Sequence, residues 1–179
     1  MTTPAASSQP TTGGSMGAHG EHHIDRVDRG RIDLGPVVQV GIVVRDVEAT
    51  VAAWTSRFAL GPAQFVDWPP EGSDLAQTAT YRGQPGAFRM RLAFLQAGPV
   101  QLEFIQPLEG NNIYSEFLEK HGEGLHHLLF NVEDPEDVAR RLEAPILQSG
   151  GSTLFPGAIW SYLDTQAMLG AMIELRTKK

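Results

Sequence analysis

An internal repeat is the feature that most constrains the fold of this chain. The segment "QVGIVVRDVE", which begins at Gln39, aligns without a gap with "HLLFNVEDPE", which begins at His127, and Asp46 then matches Asp134. Each segment is an apolar run of strand length, followed by an aspartate that suits the N-cap of a helix. The chain therefore contains two copies of one supersecondary unit.

Both copies continue as a strand, a helix and three further strands. This pattern predicts an α+β fold of two paired βαβββ modules, at residues 37–108 and 124–176, with a linking helix at residues 109–123. Residues 1–30 are rich in Ser, Thr, Pro and Gly and have few large apolar side chains. They predict a disordered tail, because burial cannot offset the entropy lost on ordering it.

Composition excludes several classes of function. The net charge of -7 argues against a nucleic-acid partner, which would require a basic surface. The chain has no cysteine, so any metal ion must be held by histidine, carboxylate or amide groups. It has no apolar stretch of membrane-spanning length and no signal peptide, so we expect no membrane association and a cytoplasmic location.

The repeat also selects a candidate metal site. Alternation along the first strands turns Gln39 and His127 away from the faces that the helices cover. It directs the neighbouring His126 to the opposite face from His127, where only packing or hydrogen bonding is predicted for it. In the closing strands, Glu103 and Glu174 each lie between two large apolar residues. Alternation places both glutamates on the same face of the sheet as Gln39 and His127. Two carboxylates, an imidazole and an amide suit one divalent cation such as Zn, Co, Ni or Mn.

Four motifs resemble the vicinal oxygen chelate superfamily, namely "QVGIVVRDVEATVAAW", "VQLEFIQPL", "EFLEKHGEGLHHLLFNVED" and "SYLDTQAMLGAMIEL". The resemblance covers residues 37–176, and the central stretch is most similar to methylmalonyl-CoA epimerases. It implies two modules whose sheets curl around a divalent metal ion, with ligands at the four positions that the repeat selects. It also implies a small-molecule substrate and a homodimer.

The sequence departs from the epimerase pattern at two places. Gln39 replaces the usual histidine, and the resulting Gln, Glu, His, Glu set resembles the zinc-type glyoxalase I enzymes. Residues 75–102 contain no Asp, Glu or His, although epimerases usually have an acid-base residue in this region.

The predicted function is that of a metal-dependent epimerase or isomerase, which removes a proton next to a carbonyl group on a substrate such as methylmalonyl-CoA. Glu174 is the first candidate for the catalytic base and Glu103 is the second. Arg89 and Arg91 share one face of a strand and are predicted to bind an anionic substrate group. Three alternatives stay open: a glyoxalase I-like lyase acting on a thiol hemithioacetal, an extradiol-type dioxygenase, and a non-catalytic small-molecule-binding protein of the same fold.

Overall fold

The structure is a computed structural model that describes residues 30–178, so the predicted tail at residues 1–30 lies outside the described residues except for its last position. The described strands are β1 (Val37–Val43), β2 (Gln64–Trp68), β3 (Thr80–Tyr81), β4 (Gln84–Pro85), β5 (Arg89–Ala97), β6 (Val100–Glu109), β7 (Gly124–Val132), β8 (Ile146–Gly151), β9 (Ile159–Leu163) and β10 (Met172–Thr177). The α-helices are α1 (Val47–Thr55), α2 (Ile113–His121), α3 (Pro135–Leu142) and α4 (Gln166–Leu169), and a 3₁₀ helix spans Asp74–Thr78. Within residues 30–178, no helix has both the length and the apolar character needed to cross a membrane.

All of these strands join one mixed, curled sheet in the order β2-β5-β6-β1-β7-β10-β9-β8-β3-β4. One βαβββ module consists of β1, α1, β2, β5 and β6, and the other consists of β7, α3, β8, β9 and β10. The first strands β1 and β7 pair antiparallel at the centre, and each closing strand runs parallel to the first strand of its own module. The predicted α+β class with paired modules is confirmed.

The register between β1 and β7 follows the alignment of the repeat. Gly41 pairs with His127 and Gln39 pairs with Leu129 across this junction. In the repeat, His127 is the counterpart of Gln39, and Leu129 is the counterpart of Gly41. Exchanging the two halves therefore converts the Gly41–His127 pair into the Gln39–Leu129 pair. A pseudo-two-fold axis therefore passes between the central strands.

Both module helices begin where the repeated aspartates cap them. The Asp46 carboxylate accepts a hydrogen bond of 2.8 Å from the backbone N–H of Ala49. In the second module, Asp134 accepts hydrogen bonds of 3.0 Å from the backbone N–H groups of Glu136 and Asp137. These bonds satisfy donors that have no partner inside the helix, so the sequence determines where α1 and α3 start.

The two helices cover the outer face of the curled sheet. Val51 of α1 packs in a buried cluster with Phe104 of β6, and Val138 of α3 packs in another with Leu175 of β10. These apolar residues occupy the helix-facing positions that alternation predicts for the closing strands. The polar residues between them are consequently directed to the inner face.

An aromatic cluster connects the two modules on the inner side. The indole N–H groups of Trp68 in β2 and Trp160 in β9 both donate to the carbonyl oxygen of Gly151, at 2.9 and 3.1 Å. Between β2 and β5 the chain crosses to the far edge of the sheet, where Thr80 of β3 pairs with Ser149 of β8. Part of the first module's sequence thus extends the sheet of the second module, and the repeat does not predict this crossing.

Candidate metal centre

His127 lies in a space that only a glycine leaves open. Its side chain is 2% exposed and lies over Gly41, where an added Cβ atom would come within 1.8 Å of the imidazole Cε1. The imidazole Nε2 is 2.9 Å from Glu174 Oε2 and 3.3 Å from Glu103 Oε2. Gly41 therefore allows the imidazole to reach both carboxylates.

The two glutamates occupy equivalent places in the two modules. Glu103 lies beside Gly41 in the parallel pairing of β1 and β6, and Glu174 lies beside the counterpart residue Leu129 in the pairing of β7 and β10. Both glutamates are buried, and ligand atoms of Glu103, His127 and Glu174 all lie within 4.8 Å of one another. The sheet thus presents the carboxylates from opposite sides of its pseudo-two-fold axis.

Three polar atoms at this centre have no hydrogen-bond partner. Glu103 Oε2, His127 Nε2 and Glu174 Oε2 are buried, and although the nitrogen is near both oxygens, neither contact has the geometry of a hydrogen bond. An unsatisfied buried polar atom costs about 1–3 kcal/mol. A divalent cation would satisfy all three atoms, and the oxygen and imidazole donors suit Zn, Co, Ni or Mn.

The electrostatics of the centre are those of two carboxylates around one imidazole. Burial acts to lower the pKa of His127, but the charge of Glu174, together with the contacts to both carboxylates, outweighs it and raises that pKa from 6.5 to about 9. Burial also raises the pKa of Glu103, and the charge of Glu174 adds to this effect while His127 opposes it. Without a cation, His127 is therefore protonated at neutral pH and compensates the carboxylate charge.

Gln39 is buried in the same cavity as Glu103 and Glu174. Its side-chain Nε2 donates a hydrogen bond of 2.7 Å to the amide oxygen of Gln101, which precedes Glu103 by two residues on the same face of β6. This bond leaves the amide oxygen of Gln39 as the atom available to a cation. Gln101 is an orienting residue that the sequence pattern did not identify.

The expectation that His126 and His127 point to opposite faces is wrong. A β-bulge interrupts the pairing here, because Gly41 faces His127 while the next residue, Ile42, faces Leu125 and leaves His126 unpaired. The two imidazoles meet instead, with their Nδ1 atoms 3.0 Å apart. A bulge places two residues opposite one, so strict alternation fails at this point.

The contact with His127 gives His126 a role as a hydrogen-bond partner. Burial, followed by the charge of His127, lowers the pKa of His126 well below 6.5, so this ring is neutral and can accept a hydrogen bond. If His127 uses Nε2 as a metal ligand, its Nδ1 carries the proton and donates it to His126. His126 would then hold the ring of His127 in the ligating tautomer, as hydrogen-bond partners of metal ligands generally do.

The cavity next to the triad is small, with a volume of about 40 Å³. This is room for about three water molecules. Its polar lining residues include Gln39, Glu103, Tyr114, Tyr162, Glu174 and Arg176, and its apolar lining residues include Trp68, Met90, Leu92, Phe94, Leu129 and Trp160. Burial raises the pKa of both tyrosines well above 10.0, so the two phenols stay protonated.

Arg89 and Arg91 do not line this cavity. Their neighbours Met90 and Leu92 do, so alternation along β5 turns both arginines to the opposite face. There the arginines pair with carboxylates: Arg89 with Glu109 at 3.2 Å, and Arg91 with Glu48 at 2.7 Å and with Asp67 at 3.1 Å. Both arginines therefore lie outside the cavity that adjoins the triad, and their binding of an anionic substrate group stays a prediction.

Arg176 supplies the cation of this cavity instead. It follows Glu174 by two residues in β10 and therefore shares its face. The same alternation that selects Glu174 in "IELRT" could have identified this arginine. The repeat selects only the carboxylates of the closing strands and therefore does not mark this arginine.

Comparison with known proteins gives the same fold. The family model of the glyoxalase/bleomycin resistance protein/dioxygenase superfamily matches residues 38–147. A 42-residue stretch is 50% identical to the uncharacterized protein YqjC of Bacillus subtilis (strain 168), and this match covers 24% of the present chain and 30% of that protein.

Three solved structures share the architecture at low sequence identity. A hypothetical protein from Bacillus halodurans C-125 matches with a TM-score of 0.60 at 20% identity, over 80% of this chain and 94% of that one. Methylmalonyl-CoA epimerase from Mycobacterium tuberculosis matches with a TM-score of 0.56 at 20% identity, over 80% and 87% of the two chains. A variant methylmalonyl-CoA epimerase from Streptomyces coelicolor, in complex with 2-nitronate-propionyl-CoA, matches with a TM-score of 0.56 at 22% identity, over 82% and 96%. With the family model matching more than half of its length, this chain belongs to the glyoxalase/bleomycin resistance protein/dioxygenase superfamily.

Proposed function

We propose that this protein is a metal-dependent enzyme that moves a proton on a carbon next to a carbonyl group, as an epimerase or isomerase does. The observation that carries the proposal is the buried Glu103, His127 and Glu174 triad, whose three inward-facing atoms have no hydrogen-bond partner. Gln39 would complete the ligand set through its amide oxygen, since its amide nitrogen donates to Gln101. The chemical family of the substrate is that of acyl-CoA thioesters such as methylmalonyl-CoA.

The roles that we propose for the cation and for the two glutamates follow from the positions of the glutamates. A bound divalent cation would supply Lewis acidity toward the carbonyl oxygen of the substrate, where charge develops as the proton leaves. Glu174 accepts the proton from carbon and returns it, while Glu103 and His127 hold their places. Glu103 approaches the same centre from the other module, and we propose it as the group that would serve the second face of the carbon where inversion requires one.

In this proposal, Glu103 and Glu174 supply the acid-base groups that residues 75–102 lack. Among the described residues that line the cavity, the carboxylates are Glu103 and Glu174 alone. An epimerase that inverts a carbon needs acid-base groups on both faces, so both glutamates would have to take part. An isomerase that returns the proton to the same side of the substrate needs only one of them.

A glyoxalase I-like lyase acting on a thiol hemithioacetal is the second candidate. The Gln, Glu, His, Glu set favours it, and the proton transfer it requires is the same. The other two alternatives receive less support. Extradiol iron sites use two histidines and one carboxylate, whereas this triad has one histidine and two carboxylates. A purely binding protein does not need three convergent ligand atoms.

One experiment separates these functions. The purified protein is assayed for metal content and then for exchange of substrate hydrogen with heavy water, on methylmalonyl-CoA and on the hemithioacetal of methylglyoxal and glutathione. Exchange on the thioester supports the epimerase, and conversion of the hemithioacetal supports the lyase. Absence of exchange on both substrates by the metal-loaded protein would contradict the proposal of a proton-transfer enzyme.

Anomalous scattering from metal-loaded crystals is expected to place one cation about 2.0–2.3 Å from ligand atoms of Gln39, Glu103, His127 and Glu174. The physical reason is that Glu103 Oε2, His127 Nε2 and Glu174 Oε2 are buried, converge on one point and make no hydrogen bond. A cation held by His126, or one outside this centre, would show that the ligand assignment is wrong.

Metal affinity is expected to increase with pH up to about 9. A cation needs the unprotonated Nε2 of His127, but the pKa of this residue is raised from 6.5 to about 9, so below that value binding must displace a proton. The apparent dissociation constant should therefore rise about tenfold for each unit that the pH falls below 9. Titration calorimetry at a series of pH values measures both this slope and the released proton, and a flat profile between pH 7 and pH 9 would contradict ligation by His127.

A further inference from the structure

A second cavity lies on the inner face of the sheet, apart from the metal centre. Its walls come from α2, β7, β8, α4 and β10, and it shares no lining residue with the cavity next to the triad. Met172 at the start of β10 lines the second cavity, whereas Glu174 two residues later lines the first, so both cavities adjoin the same face of this strand. The volume of about 280 Å³ is near the lower end of the range for small-molecule sites.

His126 lies between this second cavity and the metal centre. Its ring is 3% exposed and lines the second cavity, and its Nδ1 atom is 3.0 Å from Nδ1 of His127. The other ring nitrogen, Nε2, is buried and has no hydrogen-bond partner. A buried polar atom without a partner is costly, so this nitrogen is suited to a group that the described chain does not provide.

The Nε2 atom of His126 is a donor whether or not the metal centre is loaded. Without a cation, His127 is protonated and carries a hydrogen on Nδ1, and with a cation on Nε2 the imidazole hydrogen is again on Nδ1. In both states His127 donates to Nδ1 of His126, whose own hydrogen is then on Nε2. A ligand that satisfies this nitrogen must therefore supply an acceptor oxygen.

The walls of the second cavity favour an aromatic ligand. Their apolar members are Ile113, Phe117, Leu147 and Met172. The Phe117 ring stands edge-on to His126, with the ring centres 5.0 Å apart, and it is tilted against the ring of His121 at the same distance. A planar apolar ring can pack against such a group of rings in offset or edge-to-face contacts.

The charged groups of the second cavity favour an uncharged ligand. Arg82 and Glu116 form an ion pair of 2.7 Å, and Lys120 and Asp164 add one positive and one negative charge. The formal charges of these four side chains cancel. An anionic or cationic ligand would therefore lose its hydration without meeting an excess of opposite charge.

We infer that the second cavity binds a small uncharged aromatic molecule whose carbonyl or amide oxygen accepts a hydrogen bond from Nε2 of His126. This site is separate from the metal centre and does not depend on the proposed function. Its ligand would be a molecule other than the one that reacts at the triad, because the two cavities have different walls.

Three probes that share one ring test the inference. Benzamide has an uncharged acceptor oxygen, toluene has no acceptor, and benzoate adds a negative charge. Each is titrated into the full-length protein labelled with ¹⁵N at histidine, while the imidazole signals are followed by nuclear magnetic resonance. We expect benzamide to bind with a dissociation constant of about 1 mM, as suits a ligand of this size, and to shift the Nε2–H signal of His126. Toluene and benzoate should bind about tenfold more weakly.

Substitutions locate the bound probe. Leu147→Trp places a large side chain in the second cavity and should abolish binding of benzamide. Leu125→Trp is the matched control, since Leu125 is 71% exposed and does not line the cavity, and it should bind benzamide as the wild-type protein does. His126→Phe keeps a ring but removes the donor, so the preference for benzamide over toluene should fall about tenfold. Melting temperatures show which variants are folded.

The wild-type titrations decide the matter even if a variant does not fold. Benzamide that fails to bind, or that binds no tighter than toluene, would overturn the inference. The same holds if benzamide binds without changing the Nε2–H signal of His126, or if folded Leu147→Trp and Leu125→Trp bind it equally well. A shift of that signal with benzamide but not with toluene supports the site, and the metal content of the protein does not enter this result.

Discussion

Replacement of Glu174 by glutamine is expected to lower turnover by about a hundredfold to ten-thousandfold while much of the bound metal is retained. Glutamine keeps an oxygen ligand of similar size at this position, but it cannot accept a proton from carbon. The magnitude is that of a lost general base. Turnover, exchange of the substrate hydrogen with heavy water, and metal content are measured on the same preparation. Turnover and hydrogen exchange should fall steeply, whereas much of the metal should remain bound.

Matched variants separate catalysis from metal retention. Glu109→Gln makes the same chemical change at an exposed position at the end of β6 and should leave turnover at the wild-type level. His127→Ala should lose metal and activity together, since its imidazole lies between both carboxylates. If Glu174→Gln keeps its metal and exchanges hydrogen at the wild-type rate, Glu174 is only a ligand. Glu103→Gln then identifies the base by showing the larger loss.

The repeat is what made the paired modules and the candidate centre predictable. Once Gln39 is aligned with His127, the antiparallel pairing of the first strands and the equivalence of the closing strands bring Glu103 and Glu174 together. These relations depend on the sheet period of two residues and on symmetry. The predicted class of fold is confirmed, whereas the identity of the four residues as metal ligands remains a proposal for experiment.

The pair of histidines shows where alternation alone is insufficient. The bulge opposite Gly41 and Ile42 brings His126 against His127, and nothing in the apolar pattern of "GLHHLLFNV" marks it. A bulge changes the direction of a single side chain without changing the composition of the strand. Its position depends on how the two central strands fit around the buried imidazole, which is a tertiary effect.

The orientation of Arg89 and Arg91 relative to the cavity was not predictable for a different reason. Arg89 and Arg91 were correctly placed on one common face of β5, but the sequence does not say which face is the inner one. Arg91 is held on the outer face by Glu48 of α1 and Asp67 of β2, and both carboxylates are distant in sequence. Met90 and Leu92 decide the orientation, because the cavity wall buries them.

The substitution Gly41→Ala is expected to weaken metal binding by at least about a hundredfold. The added Cβ atom would lie 1.8 Å from Cε1 and 2.2 Å from Nε2 of His127, so the imidazole must move away from Glu103 and Glu174. A displacement of this size removes a ligand that no neighbouring group replaces, and overpacking of the core adds a destabilisation of about 1–3 kcal/mol. Metal affinity by titration calorimetry and unfolding by denaturant measure the two effects separately.

Gly124→Ala is the matched control for this change. Gly124 begins β7, three residues before His127, and an added Cβ atom there would meet no atom within 4 Å. This variant should bind metal and unfold as the wild-type protein does. Equal metal affinity in the two glycine variants would mean that the imidazole of His127 is not a ligand, because a ligand that is forced out of its place cannot leave the affinity unchanged. Loss of metal in Gly41→Ala alone, with the fold retained, would instead identify the space over Gly41 as the position from which His127 binds.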